Sequence, residues 1–296
     1  MLKQEKLEGI IPATITPFHE DESLNTKALS QLLEWNLGQG AKAFFIGGSS
    51  AECFLLTPHE RKEIFETAAA FKEQAFMIAH VGAISVREAE DYARCASRLG
   101  YDAVAATPPF YYGFNSREIY SYYEAIAQAA GKPVWIYNFP GNTGKQFVLE
   151  DPFTQKLFQS SFIQGVKHTN SVLAQLERIR HLNQNLIMMN GYDETLVAAL
   201  ALGADGAIGS SFNFTFPLFD RIYRLYLSGD REEALKLQVQ ANQILYTLYE
   251  VGLIPGIKYI LNRMGIAAGI SRRPFHELSE DQKRLLDECM AQMDDR

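Results

Sequence analysis

Residues 131–140 read Gly131-Lys132-Pro133-Val134-Trp135-Ile136-Tyr137-Asn138-Phe139-Pro140. A helical stretch follows, and then Phe162-Ile163-Gln164-Gly165-Val166-Lys167. Two short, nearly continuous apolar runs therefore flank a helical pattern. A strand that is apolar throughout is buried on both faces, as in a parallel sheet covered by helices. Parallel neighbours need a crossover of about a dozen residues or more, and the intervening stretch is long enough to supply one. Gly131 stands just ahead of the first run, where a helix C-terminal glycine belongs.

The same unit recurs in both directions along the chain. Apolar runs at Ile10–Thr16, Ala43–Ile46, Phe76–Val81, Ala103–Ala106, Val134–Tyr137, Ile163–Val166, Leu186–Met189 and Gly206–Ile208 make eight expected strands. Helical patterns separate them. Leu29, Leu32, Leu33 and Leu37 share one face of an early helix. Thr57-Pro58-His59-Glu60 and Ser85-Val86-Arg87-Glu88 read as capping boxes, the first with proline at the first helical position. Gly40, Gly100 and Gly203 precede strands as Gly131 does. Eight such regular units predict an α/β fold, a (β/α)8 TIM barrel over residues 1–225, rather than a doubly wound sheet. Beyond the eighth run the pattern is only helical. Asp230 to Val251 form one long helix pattern, and residues 279–293 form another, opened by the capping box Ser279-Glu280-Asp281-Gln282. Residues 226–296 are thus expected to be a C-terminal helical extension packed on the barrel.

Composition narrows the function. The 28 basic and 35 acidic residues leave a net charge of −7, which argues against a general nucleic-acid binder or a binder of anionic membranes. With 47% hydrophobic and 21% charged residues, disorder is excluded. No apolar run approaches the roughly 18 residues of a membrane span. Met1-Leu2-Lys3-Gln4-Glu5-Lys6 leads into no signal-peptide core. Cys53, Cys95 and Cys289 are odd in number and include no CxxC, which predicts neither a disulfide framework nor a zinc site and fits a reducing cytoplasm. The six histidines show no metal-ligand spacing, so no catalytic metal is expected.

Barrel enzymes carry their chemistry at the C-terminal ends of the strands. Lys167 ends the sixth run, so its ammonium is expected in the barrel mouth. Desolvation there lowers its pKa and makes it a candidate Schiff-base nucleophile; a carboxylate-paired lysine or a phosphate contact are the alternatives. Tyr137 ends the fifth run, either as a buried core tyrosine or as a proton carrier that needs a polarising neighbour. Gly47-Gly48-Ser49-Ser50 offers backbone N–H groups and two hydroxyls, which suit a carboxylate or phosphate. The glycines of Gly203-Ala204-Asp205-Gly206-Ala207-Ile208-Gly209-Ser210 read as mainly structural, serving tight packing around a short strand.

Taken together, Gly47-Gly48-Ser49-Ser50-Ala51-Glu52, Tyr137-Asn138-Phe139-Pro140, Gly165-Val166-Lys167-His168-Thr169 and Gly191-Tyr192-Asp193-Glu194 resemble the N-acetylneuraminate lyase and dihydrodipicolinate synthase family over nearly the whole chain. The likeness is greatest to its lyase branch. The resemblance implies a pyruvate-dependent class I aldolase that cleaves N-acetylneuraminate to N-acetylmannosamine and pyruvate. It implies that Lys167 forms an imine with the 2-keto carbon, with no metal or other cofactor. Ser49 and Ser50 would hold the carboxylate, and Tyr137 would move the proton at the breaking bond. Tyr111 matches a tyrosine that joins the relay from a neighbouring subunit, in what is typically a homotetramer. Thr169, Gly191, Asp193, Glu194 and Ser210 match the lyase sugar site. The synthases place an arginine after the Tyr-Asn-x-Pro turn; here Gly141-Asn142-Thr143-Gly144 has none. Two departures stand out. Ala51 replaces the family's usual glycine, and the Asn142 loop is closer to that of members acting on 2-keto-3-deoxy sugar acids. An aldolase or dehydratase for those shorter acids, a dihydrodipicolinate synthase-like enzyme and a non-catalytic sugar-acid-binding protein are the competing readings. Borohydride reduction in the presence of pyruvate should inactivate the protein and add mass to the peptide carrying Lys167. Labelling of a different lysine, or of none, would sink this chemistry.

Overall fold

The computed structural model describes residues 7–294, with side chains described to residue 291. Met1–Lys6, read above for a leader, lies outside the described residues. Eight strands, β1 (Gly9–Pro12), β2 (Ala43–Ile46), β3 (Phe76–His80), β4 (Ala103–Ala106), β5 (Val134–Asn138), β6 (Ile163–His168), β7 (Ile187–Asn190) and β8 (Gly206–Gly209), form one parallel sheet. Their order, β1-β8-β7-β6-β5-β4-β3-β2, brings the first strand beside the last. The ring closes between β1 and β2, where Ala13 bridges Phe45 and Thr14 N donates to Phe45 O at 3.1 Å. The fold is therefore the TIM barrel that the alternating pattern predicts.

Between the strands run helices α1 (Thr26–Gly38), α2 (Pro58–Ala69), α3 (Val86–Leu99), α4 (Ser116–Ala130), the short α5 (Pro140–Thr143), α6 (Pro152–Gln159), α7 (Ala174–Leu182) and α8 (Leu196–Ala201). After β8 come α9 (Phe212–Ser228), α10 (Arg231–Val251), α11 (Leu253–Arg263) and α12 (Glu280–Asp294). Thr57 and Glu60 close the expected capping box on α2, and Ser279 and Gln282 do the same on α12. Ser85 does not cap α3. It occupies the N-cap position without a side-chain bond, because Glu88 is drawn to the Tyr92 hydroxyl at 2.6 Å instead of reaching back. No single helix among the described residues is long and apolar enough to cross a membrane.

Successive side chains on a strand face opposite ways, and the apolar residues accordingly split into two bodies. Ile11, Phe45, Ile78, Trp135, Tyr137, Met189 and Ile208 fill the barrel interior. Phe44, Ile46, Val104, Ile136, Val166 and Met188 face the helices. At Gly206 a Cβ would lie 2.0 Å from Gly9 O, so the close approach of β1 and β8 admits only glycine, in keeping with the structural role expected of that run.

The C-terminal helices are tied to the barrel mouth by charge. Lys258 on α11 meets Glu52 Oε1 at 2.5 Å, with both side chains fully buried. Lys258 Nζ also donates to Ile270 O at 2.7 Å, and Arg272 N donates to Glu52 Oε2 at 2.8 Å. The Arg272 guanidinium then grips Glu60 through both carboxylate oxygens, at 2.8 and 2.6 Å. Removing one member of a buried pair strands the other charge. Lys258→Met should therefore lower stability by about 3–5 kcal/mol in urea unfolding. Adding Glu52→Gln, which removes the stranded charge and keeps an acceptor for Arg272 N, should recover most of that loss. Equal stability of the two variants would refute the account.

Candidate active site

The register pairs Tyr137 with Lys167 and Asn138 with His168. Strand alternation sends the first pair into the barrel. The second pair serves an outer polar network, in which Asn138 Nδ2 lies 3.1 Å from His168 Nδ1 and donates to Gln175 Oε1 at 3.2 Å. Lys167 is only 3% exposed. Its Nζ lies 4.2 Å from the centre of the Tyr137 ring and 4.6 Å from that of Phe45. It has no ion-pair partner among the described residues, so the arrangement is not that of a carboxylate-paired lysine. Burial brings the ammonium down to about 7, while the nearby Asp193 charge acts the other way. An amine in that range is about half neutral near pH 7, and the neutral form can attack a carbonyl carbon. Burial also pushes the Tyr137 phenol well above its usual range, against the Ser49 and Thr169 hydroxyls, so Tyr137 is a neutral donor.

Around these two residues lies a cavity of about 510 Å³. Of the residues singled out from sequence, Ser49, Ser50, Tyr137, Lys167, Thr169, Gly191, Asp193 and Ser210 all line it, as does Asn142. Two do not. Tyr111 is 83% exposed and held in the left-handed region at φ 78°. Glu194 is turned to the rim, where its Oε2 accepts from the Tyr249 hydroxyl at 2.9 Å. Phe139, Gly141, Tyr192, Tyr249, Leu253, Ile254 and Phe275 complete the wall. The sequence offered no local signal for the last four: they sit in helical or loop stretches whose pattern says only which face is apolar.

Close approach explains the small residues. At Gly48 a Cβ would lie 2.6 Å from the Phe45 ring, so the turn that carries Ser49 needs glycine to fold against the barrel interior. Ala51, one of the two departures noted from the sequence, is buried and outside the left-handed region, and its carbonyl accepts from Thr16 Oγ1 at 2.8 Å. At Gly191 a Cβ would lie 1.8 Å from Thr169 Oγ1. That hydroxyl is buried on the Tyr137 side of the cavity and makes no well-formed hydrogen bond among the described residues, so it can turn to a ligand. Ser50 Oγ and Ser210 Oγ meet at 2.5 Å, linking the turn after β2 to the end of β8. Asp193 Oδ2 accepts from Ser211 N at 2.9 Å and Ser211 Oγ at 2.6 Å. Burial nevertheless raises Asp193 to about 6. No group of three or more His, Cys, Asp or Glu among the described residues is placed to hold a metal ion.

The chemistry this arrangement can do is imine formation at Lys167. Only the unprotonated amine attacks. The rate of pyruvate trapping should therefore rise about tenfold per pH unit below pH 7 and level off above it. The Asp193 charge favours the ammonium, so Asp193→Asn should move the midpoint to lower pH. A profile with its midpoint near the ordinary lysine value of 10.5 would contradict the burial of Lys167.

Residues 6–293 match the model of the dihydrodipicolinate synthetase family. The chain is 41% identical over 287 residues to the N-acetylneuraminate lyase of Rhizobium meliloti, covering 97% of this chain and 95% of that one. A protein of Clostridium difficile called CdNal, solved in complex with mannosamine, superimposes with a TM-score of 0.93 at 34% identity, over 97% of this chain and 99% of that one. The N-acetylneuraminate lyase of Fusobacterium nucleatum complexed with pyruvate gives 0.90 at 34% identity, over 96% of each chain. With the lysine, the tyrosine and the serine turn brought to one cavity at the mouth of an eight-stranded barrel, the chain belongs to the dihydrodipicolinate synthetase family.

Proposed function

We propose that the protein is a Schiff-base aldolase, a lyase that cleaves N-acetylneuraminate to N-acetylmannosamine and pyruvate. The observation that carries this reading is the buried Lys167, without an ion-pair partner among the described residues, facing a wall of hydroxyls and a carboxylate with no arginine in it. A polyhydroxylated substrate needs acceptors of this kind, whereas an aldehyde bearing its own carboxylate calls for a fixed cation.

The residues assign the steps. Ser49 and Ser50 hold the substrate carboxylate. Lys167 Nζ adds to the C2 carbonyl carbon, and loss of water leaves a protonated imine. The imine draws the electron pair of the breaking C3–C4 bond into an enamine as the C4 hydroxyl gives up its proton. Tyr137, a neutral phenol, takes that proton while passing its own onward. The enamine is then protonated at C3, and water hydrolyses the imine to release pyruvate and restore the amine. The imine is itself the electron sink, so the reading calls for no cofactor. Thr169, Ser210, Asp193 and Glu194 meet the sugar hydroxyls, and Gly191 leaves room for them.

Tyr111 extends the relay from a second copy within a homotetramer. A non-glycine residue held at positive φ with its ring in solvent is a strained arrangement that a partner surface would explain. The free Cys53, Cys95 and Cys289 suit a cytoplasmic setting. Pyruvate release measured side by side from N-acetylneuraminate and 2-keto-3-deoxygluconate tests the assignment, with the longer acid expected to be preferred. Preference for the shorter acid by about tenfold, the discrimination one lost hydrogen bond can supply, would hand the site to the sugar-acid aldolase reading.

A further inference from the structure

The segment that carries Asp193 and Glu194 is held from outside the barrel, by one face of α10. Gln238, only 3% exposed, donates through Nε2 to Asp193 O at 3.1 Å and to Asn242 Oδ1 at 2.8 Å, and its Oε1 accepts from Val197 N at 3.2 Å. Asn242 Nδ2 donates to Glu194 O at 3.1 Å. About two helical turns beyond, Tyr249 donates to the Glu194 carboxylate at 2.9 Å. At about 100° per residue, positions 238, 242 and 249 fall within roughly 40° of one another on the helix, so a single face makes every one of these contacts. A buried amide with both ends engaged has little freedom to follow a shifted partner without leaving a polar group unpaired.

We infer that this face of α10 sets substrate specificity. Gln238 and Asn242 are positioning residues: they touch no substrate atom, and they fix where the Asp193 and Glu194 groups stand relative to the hydroxyls of a 2-keto sugar acid. The inference rests on the reading that these two carboxylates meet the sugar. It separates the two halves of the site. The serine turn that takes the pyruvate half is braced through Glu52 by Lys258 of α11 and by Arg272 N, and makes none of the α10 contacts. Disturbing the Asn242 and Tyr249 contacts, which reach Glu194 and not Asp193, therefore acts on the polyhydroxylated half and leaves imine formation alone.

The test uses the full-length protein with Asn242→Leu and Gln238→Leu, and with Tyr249→Phe as a variant that keeps the ring. Initial rates of pyruvate release are measured with N-acetylneuraminate and with 2-keto-3-deoxygluconate, alongside borohydride trapping of pyruvate alone. For Asn242→Leu, KM for the acid that the wild type prefers should rise about tenfold, the worth of one hydrogen bond, with kcat within about twofold. The rate of pyruvate trapping by the Asn242→Leu protein should match wild type. Tyr249→Phe should change the ratio of kcat/KM between the two acids by at least about threefold. Unchanged KM and unchanged ratio overturn the inference. So does a parallel fall of kcat and trapping, which would mean that α10 merely supports the fold. Should Gln238→Leu fail to fold, the other two variants still decide. A wild type that prefers 2-keto-3-deoxygluconate sinks the N-acetylneuraminate assignment while leaving the α10 comparison to be read on that acid. A wild type that cleaves neither acid overturns both.

Discussion

An ammonium group shut inside a closed barrel, with aromatic rings against it and no carboxylate at its side, is held there at a cost. Water is the best solvent for the charge, and the barrel excludes it. The attraction of the Phe45 and Tyr137 rings for a cation and the field of Asp193 return part of that cost but not all of it. Shedding the proton relieves the remainder and leaves a neutral amine, the form able to attack a carbonyl carbon. Much of the surrounding architecture serves this one constraint. The inward alternation of β5 and β6 places the lysine, and Gly48 lets the serine turn close over Phe45. The buried Thr169 hydroxyl gives the cavity a polar wall without a compensating charge.

The C-terminal helices complete the site by two different means. On one side a buried ion pair, Glu52 with Lys258, anchors the turn that carries the serines. On the other side neutral amides of α10 hold the loop after β7. The difference suits the loads. Glu52 sits in the left-handed region next to a tight turn, where a strong, charge-assisted contact holds the backbone against strain. The loop after β7 bears carboxylates of its own, and a cation there would compete for them.

The barrel was legible in the sequence because its strands are short, apolar and regularly spaced. The structure moves their ends by no more than a few residues, most at β1, where the apolar run continues past the ladder to Thr16. Lys167 and Tyr137 were legible because a polar residue at the end of an apolar run has few places to go. The apparent cap at Ser85 misled, since spacing cannot reveal that Tyr92 claims the Glu88 carboxylate. The Glu52–Lys258 pair left no trace either. The two residues are about 200 positions apart, and a lysine within an amphipathic helix normally reads as solvated. Tyr249 and Phe275 were hidden for the same reason: their role depends on how the last helices lie across the mouth.

The seam between β1 and β8 has a consequence for the protein during its synthesis. Its strands are separated by roughly 200 residues, and Gly9 and Gly206 must come into backbone contact before the ring exists. At translation rates of about 5–20 residues per second, some 10–40 s pass between the appearance of the two edges. Lys167 itself is present only for the last few seconds of that interval, and until the ring closes around it the side chain is solvated and protonated like any surface lysine. On the proposed aldolase reading the nascent chain is thus unreactive toward keto acids, and its nucleophile is switched on by the topological closure that completes the fold.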